Sequence, residues 1–417
     1  MQPRHRDNYE FLTQAPVSRV ILTMALPTIV SMLVTCFYVI VDTYFVGQLN
    51  TQSTAAVGIV FPLMSLIQAT GLVYALLIGI LIAVVALLFL RPLSLVLGST
   101  ATSLPFTEQY MAIILLGAPF QIASFTLNSQ LRMQGNARYA MWGIISGALL
   151  NVVLDPILIF ACNLGLRGAA LATVIGQLVS VAILLAMCHF RATAGVRLRP
   201  RFFSLHWHYV REIVYGGSPS LSRQGLASIS VILLNVAAAG YGDAAVAAMS
   251  IVSRVTMFVM AVIVGLGQGF QPFCGYCYGA ALYNRLRHGF WFTVRVGFFF
   301  LLFFSAVFFC FAEQTIAVFR DDAIVIAIGS TALRWHLAVY PLNAYIMAGN
   351  MMLQTTRRPL RANVLSSARK GLVFIPFILI LPHLFGLMGI AMCQAVCDVV
   401  TFIIAIPIVR SAFREMT

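Results

Sequence analysis

Acid is scarce in this chain. Twelve Asp and Glu residues stand among 417, against 26 Lys and Arg, and all charged residues together make up 9% of the sequence. A soluble domain of this length needs far more charge to cover its surface, so a soluble fold is excluded. No Gly-rich loop closing on Lys-Ser/Thr occurs, which excludes a P-loop and, with it, ATP as an energy source. The eight cysteines lie mostly inside apolar runs and act as small hydrophobes. Cys274-Gly-Tyr-Cys277 has redox or zinc spacing, but no second pair or nearby His complements it, so no metal centre and no cofactor is expected.

What fills the chain instead is hydrophobic, 61% of all residues, with a mean hydropathy of +0.94. Apolar runs of about 20 residues recur throughout, the pattern of a polytopic α-helical membrane protein. The first 18 residues are polar. The first apolar run is a full-length span without a small-residue cleavage site, so it reads as a retained helix. We expect twelve spans, at 20–46, 54–71, 72–90, 107–133, 138–161, 168–189, 210–239, 243–271, 288–312, 323–354, 362–382 and 386–409.

The net charge of +14 does not imply nucleic acid, because the basic residues fall in short joints between spans. With both termini cytoplasmic, that side collects Arg4, Arg6, Arg19, Arg132, Arg138, the arginines of 191–201, Arg285, Arg287, Arg357, Arg358, Arg361, Arg369, Lys370, Arg410 and Arg414. The other side receives Arg91, Arg167 and Arg320. The asymmetry requires 54–90 to cross an even number of times, so we expect a compressed hairpin turning near Gln68 to Gly71.

The chain also repeats itself. Leu26-Pro27-Thr28 parallels Ser218-Pro219-Ser220 at an offset of 192. Offsets of 220 to 222 carry Pro119 onto Pro341, Gln134 onto Gln354, Pro156 onto Pro376 and Gly168 onto Gly389. The expected architecture is two six-span lobes related by a pseudo-two-fold along the membrane normal, with the substrate site between them. Expected boundaries are a cytoplasmic tail at 1–18, an N-terminal lobe at 19–190, a basic linker at 191–211, a C-terminal lobe at 212–410 and a tail at 411–417. The jump in offset between 60 and 90 means that about 29 residues of the second copy, around Gln268 to Ala280, have no counterpart in the first. That segment reads as a span end and its loop, and its loss shortens the second and third helices of the first lobe.

Only Asp42, Asp155 and Asp398 lie well inside spans, where a carboxylate costs about 3 kcal/mol or more and marks a polar cavity or an ion path. Asn151 and Asp155, at i and i+4, share a helix face, and Pro156 directly follows. Neither Asp42 nor Asp155 has an acidic counterpart in the second copy, so we expect an ion or proton site confined to the N-terminal half. Thr173 has a hydroxyl to offer the same site. Pro27 is a kink inside the first span. Arg223 and Arg254 sit halfway along spans seven and eight, where each needs an acid or a water-filled cavity, and with Gln224 and Asp398 they are candidates for lining a substrate cavity.

These stretches resemble the MATE (multidrug and toxic compound extrusion) family, in its DinF-like branch. The matching residues are Leu26-Pro27-Thr28, Val41-Asp42 to Gly47, Gln134-Gly135-Asn136, Asn151-Val-Val-Leu-Asp155-Pro156, Gly217-Ser-Pro219-Ser220, Gln271-Pro272 to Tyr278-Gly279-Ala280, and Gly389-Ile390-Ala391 to Asp398. The resemblance implies a secondary antiporter of a bacterial inner membrane. It would export organic cations and other amphipathic compounds in exchange for H⁺ or Na⁺ by alternating access. Coupling would fall to Asp42, Asn151, Asp155 and Thr173, with Pro27 as the bending point. Small-molecule substrates and membrane lipids are the expected partners, and the chain is expected to act as a monomer, not as an enzyme. Two alternatives stand beside it: a lipid-linked oligosaccharide flippase, and a remnant disabled by its shortened first lobe.

Overall fold

The computed structural model describes residues 10–47, 72–96, 104–190, 207–320 and 322–416. Every regular element among them is a helix. Among the described residues, nine helices are long and apolar enough to cross a membrane. Of the twelve expected spans, eleven coincide with a described helix; the segment 54–71 and the turn near Gln68 to Gly71 lie outside the described residues.

In chain order the N-terminal half contains α1 (Val17–Gly47), α2 (Leu72–Leu88), α3 (Leu90–Val96), α4 (Leu104–Met133), α5 (Ala137–Pro156) with a π turn at Ile157–Ala161, and α6 (Leu166–Phe190). The C-terminal half contains α7 (Trp207–Ala239), α8 (Asp243–Gly279), α9 (Tyr283–Cys310), α10 (Ala312–Phe319), α11 (Ala323–Val339) and α12 (Asn343–Thr355). It closes with α13 (Pro359–Ser367), a π turn at Ala368–Leu372, α14 (Phe374–Phe385) and α15 (Leu387–Arg414). The described residues divide into two compact units, one within 30–217 and the other made of 10–29 with 218–416. Helix α1 therefore begins in one unit and ends in the other, and Pro27 falls two residues before the division.

The lower part of α1 is held by small residues. On α8, Gly265 and Gly269 form a Gly-x-x-x-Gly pair; a Cβ on either would stand 2.7 Å from the Ile29 Cα or 2.3 Å from the Ala25 Cα. Such pairs let two backbones approach, which is how helices associate where lipid removes the hydrophobic drive. In the same unit Arg285 donates to the carbonyls of Leu12 and Ala15.

The internal repeat is visible in backbone detail. A break at Phe89 separates α2 from α3, and a break at Phe311 separates α9 from α10. Asn128 donates from its side chain to the Ala140 carbonyl at 2.8 Å, and Asn350 to the Ala362 carbonyl at 3.0 Å. Gly135 (φ 83°) and Arg357 (φ 56°) both end their helices in the left-handed region. Near the last helix of each half, Gly165 (φ 52°) matches Gly386 (φ 58°), and a Cβ on Gly168 or Gly389 would strike the Leu158 or Leu381 carbonyl.

Three expectations are corrected here. The offset across 119–140 is 222, so Gln134 corresponds to Thr356 and not to Gln354. The stretch Gln268 to Gly279 is not a loop: α8 runs 37 residues and stays helical through Gly279. Arg369 and Lys370 are not loop residues either; they sit on the π turn inside the span Pro359–Phe385, where side chains described below engage Arg369. As for the shortened helices, α2 has 17 residues where its counterpart α9 has 28. At 1.5 Å per residue, 17 residues reach about 26 Å, just short of a hydrocarbon core of about 30 Å.

Candidate functional site

Both N-terminal acids are buried in the unit that contains 30–217. Asp155 is fully inaccessible, Asn151 2%, Thr173 5% and Asp42 6% exposed. They arrive from three helices. The i, i+4 spacing on α5 aims Asn151 and Asp155 together, Thr173 comes from α6, and Asp42 from the upper part of α1. The Asn151 amide nitrogen donates to Asp155 Oδ1 and to Thr173 Oγ1, both at 3.4 Å, and the Thr173 hydroxyl donates back to the Ala169 carbonyl at 3.1 Å. Directly after Pro156 the helix widens into its π turn, a frequent feature of functional helices.

α5 and α6 approach closely enough for these bonds because glycine faces glycine. A Cβ on Gly147 would lie 2.5 Å from the Gly176 carbonyl oxygen, and one on Gly176 would lie 2.8 Å from the Gly147 carbonyl. Next to the site, Met111, Ile114, Leu115, Ile159, Leu166 and Ala169, the last one turn from Thr173, form a hydrophobic core.

Two tyrosines complete the cluster and were not anticipated. Tyr110 of α4, 2% exposed, is hydrogen-bonded to Thr173 and lies within electrostatic reach of Asp42 and Asp155; Tyr38 of α1 reaches both carboxylates as well. Nothing in the sequence singles them out, since tyrosine in an apolar run is ordinary. Three buried oxygens have no hydrogen-bond donor: Asp42 Oδ1, Asn151 Oδ1 and Asp155 Oδ2. An all-oxygen set with two carboxylates suits a proton or a hard monovalent cation.

The remaining candidates lie in the other unit and do not form one site. Arg254 is exposed, and Arg223 and Gln224 are half-buried. Asp398 of α15 is fully inaccessible and locked in place. It accepts from Arg369 Nε at 2.8 Å and Nη2 at 3.4 Å, from Asn343 at 2.8 Å and from Gln394 at 3.0 Å. His336 Nε2 stands 3.9 Å from it. This ion pair inside the bilayer was missed because its partners are 29 residues apart and a lone Arg-Lys reads as a joint.

These features define a multi-pass α-helical membrane protein with a carboxylate site buried in one half. A profile of the MatE family matches residues 68–157 and 219–380, well over half of the chain, so the chain belongs to the MATE family of transporters. The multidrug export protein MepA of Staphylococcus aureus (strain NCTC 8325 / PS 47) is 25% identical over 412 residues, covering 91% of this chain and 90% of MepA. Among solved structures, a MATE transporter in its straight conformation has a TM-score of 0.91 at 24% identity, covering 98% of each chain. The same description in a bent conformation gives 0.87 at 23%, again with 98% of each chain covered. The chain is a bacterial membrane transporter of small molecules that works by ion coupling, and not an enzyme. Neither the flippase nor the remnant alternative is favoured.

Proposed function

We propose that this protein exports amphipathic organic cations in exchange for H⁺ or Na⁺, as a monomer of the DinF-like branch. Asp42, Asn151, Asp155 and Thr173 take up the coupling ion. The observation that carries this reading is the trio of buried oxygens without donors, all in one cluster with both acids. Two carboxylates that sense each other act as one titrating unit, so loading by one ion alters the whole cluster. Pro27 supports a bending role, because it interrupts the hydrogen-bond ladder of α1 near the division between the units. Alternating access of the two lobes would follow from that bend, with the domain boundaries expected from the sequence. A cytoplasmic location for both termini is supported by the loop arginines that remain after Arg369 and Lys370 leave the tally.

The test is efflux of a permanently charged fluorescent cation from cells expressing the chain. Asp155→Asn and Asp42→Asn should each cut efflux at least about tenfold, since each leaves the cluster without a charge that the ion must neutralise. Undiminished efflux in both variants would remove the site assignment.

A further inference from the structure

The chain enters α1 through a strap that cannot pair its own backbone. Residues 10–14 form a short helix, Ala15 and Pro16 interrupt it, and α1 begins at Val17. In a continuous helix the Leu12 carbonyl would accept from the nitrogen of residue 16, but that residue is proline and has no N–H. Arg285, in the first turn of α9, supplies the missing donor. Its Nη2 donates to the Leu12 carbonyl at 3.3 Å and also to the carbonyl of Ala15.

The guanidinium is itself held in place. It stands 5.4 Å over the Phe273 ring of α8. That ring fills the space left by Gly289, one turn along α9 from Arg285, where a Cβ would lie 2.1 Å from it. Phe273 is fully inaccessible, and so is Leu12 on the strap. Gly265, Gly269 and Phe273 follow at i, i+4 and i+8, so one stripe of α8 meets Ile29, then Ala25, then the arginine that holds the strap. All of these groups belong to the unit that contains 218–416.

Asp42 is on the same continuous helix, about 20 Å beyond Ile29, and belongs to the other unit. A change at one end of such a lever is transmitted only if the other end is fixed. Glycine contacts bring two helices close but leave them free to slide, whereas charge-assisted hydrogen bonds to two backbone carbonyls set a position along the axis.

We propose that Arg285 is a positioning residue for ion-coupled transport. By holding the strap it pins the lower half of α1 to the C-terminal half, so that ion loading at Asp42 is passed to that half and lowers its affinity for substrate. The proposal rests on the assignment of the coupling ion to the Asp42 cluster, and the test separates the two.

The test is equilibrium binding of a permanently charged fluorescent cation to the purified full-length chain, in alkaline buffer and after acidification or addition of NaCl. Exchange requires that ion and substrate weaken each other's binding, so wild-type affinity should fall at least about tenfold when the ion is supplied. Arg285→Gln should bind the dye as wild type does without the ion, and should lose less than about twofold with it. Arg285→Lys, which still offers a cation with several donors to the two carbonyls, should keep the wild-type response. Unchanged affinity without the ion certifies folding, and a purely structural role would not remove the ion response while sparing that affinity. If Arg285→Gln does not fold, Leu12→Ser carries the test from the strap and should show the same loss of response. A wild-type response in Arg285→Gln, or in Leu12→Ser where it stands in, overturns the proposal. The same titration on Asp42→Asn tells the two readings apart. A response kept in Asp42→Asn but lost in Arg285→Gln removes the ion assignment and leaves Arg285 as the anchor. A response lost in Asp42→Asn but kept in Arg285→Gln removes Arg285 alone, and a wild type that responds to neither ion overturns both.

Discussion

Gly147→Ala is the sharpest probe of how the carboxylate cluster is built. The new methyl would stand 2.5 Å from the Gly176 carbonyl oxygen and 2.9 Å from Ser180 Cβ, where ordinary contact begins at 3.4 Å. Both obstacles are on α6, and one is backbone, so α5 and α6 must part by about 0.9 Å at this level. Asn151 lies one turn along from Gly147, and Thr173 one turn from Gly176, so the same separation acts on their bond. That bond is already 3.4 Å long and would be lost. Stability is a blunt readout here. Overpacking costs about 1–3 kcal/mol, but alanine regains about 1 kcal/mol over glycine inside a helix, leaving a net loss of about 0–2 kcal/mol. Transport is the informative assay. Dye efflux should fall at least about tenfold while the melting temperature of the purified protein moves only a little. Gly279→Ala, with nothing within 4 Å of its Cβ, is the matched control and should leave both unchanged. Wild-type efflux from a folded Gly147→Ala protein would refute the claim that glycine contact sets the site.

Three further outcomes follow from single contacts. Arg369→Met or Asp398→Leu alone strands a buried charge and should destabilise by about 3–5 kcal/mol, whereas the double variant should recover most of that loss in thermal unfolding; additive losses would refute the pairing. Asp322 caps α11 by accepting from the backbone nitrogens of Ile324 at 2.9 Å and Val325 at 3.2 Å, so Asp322→Ala should cost about 1 kcal/mol, read by the same measurement. Beyond the last span, Arg361's hydrogen bond, with Arg358 adding its charge, holds the Glu415 carboxyl below its usual value. Any stability this contributes is present above the unfolded-state pKa and lost as pH falls through the folded one. Glu415→Gln should therefore differ slightly from wild type at neutral pH in low salt, and the difference should vanish on acidification.

How much of this was legible depended on whether a residue was costly where it stood. Asp42 and Asp155 were readable because a carboxylate in an apolar run has few inexpensive explanations. Asn151 followed from the i, i+4 rule, and the helices from their apolar lengths. Tyr110 and Tyr38 carry no such mark, and only the fold brings them to the acids. Arg369 and Lys370 were misassigned for a related reason: flanked by Asn363, Ser366, Ser367 and Gly371, they read as a joint, and the acid that holds one of them lies a helix away. The repeat was legible in its prolines and glycines but not in its register. The two π turns sit at different points, so a single offset cannot carry one copy through the other.

The divergence between the copies bears on where ion coupling resides. An offset of 222 carries Gly147 onto Arg369, and 221 carries Gln177 onto Asp398. Where the first half closes a helix contact with bare glycine backbone, the second half closes it with an ion pair. The consequence is chemical. An acid whose charge is met by a fixed guanidinium and two amides has no reason to take up or release an ion as the protein cycles. An acid buried with tyrosines, an asparagine and a threonine has no fixed counter-charge and must draw one from outside. Asp398 is of the first kind, and Asp42 and Asp155 are of the second. The three carboxylates buried among the described residues thus supply one cluster without a fixed counter-charge, which favours coupling in the N-terminal half.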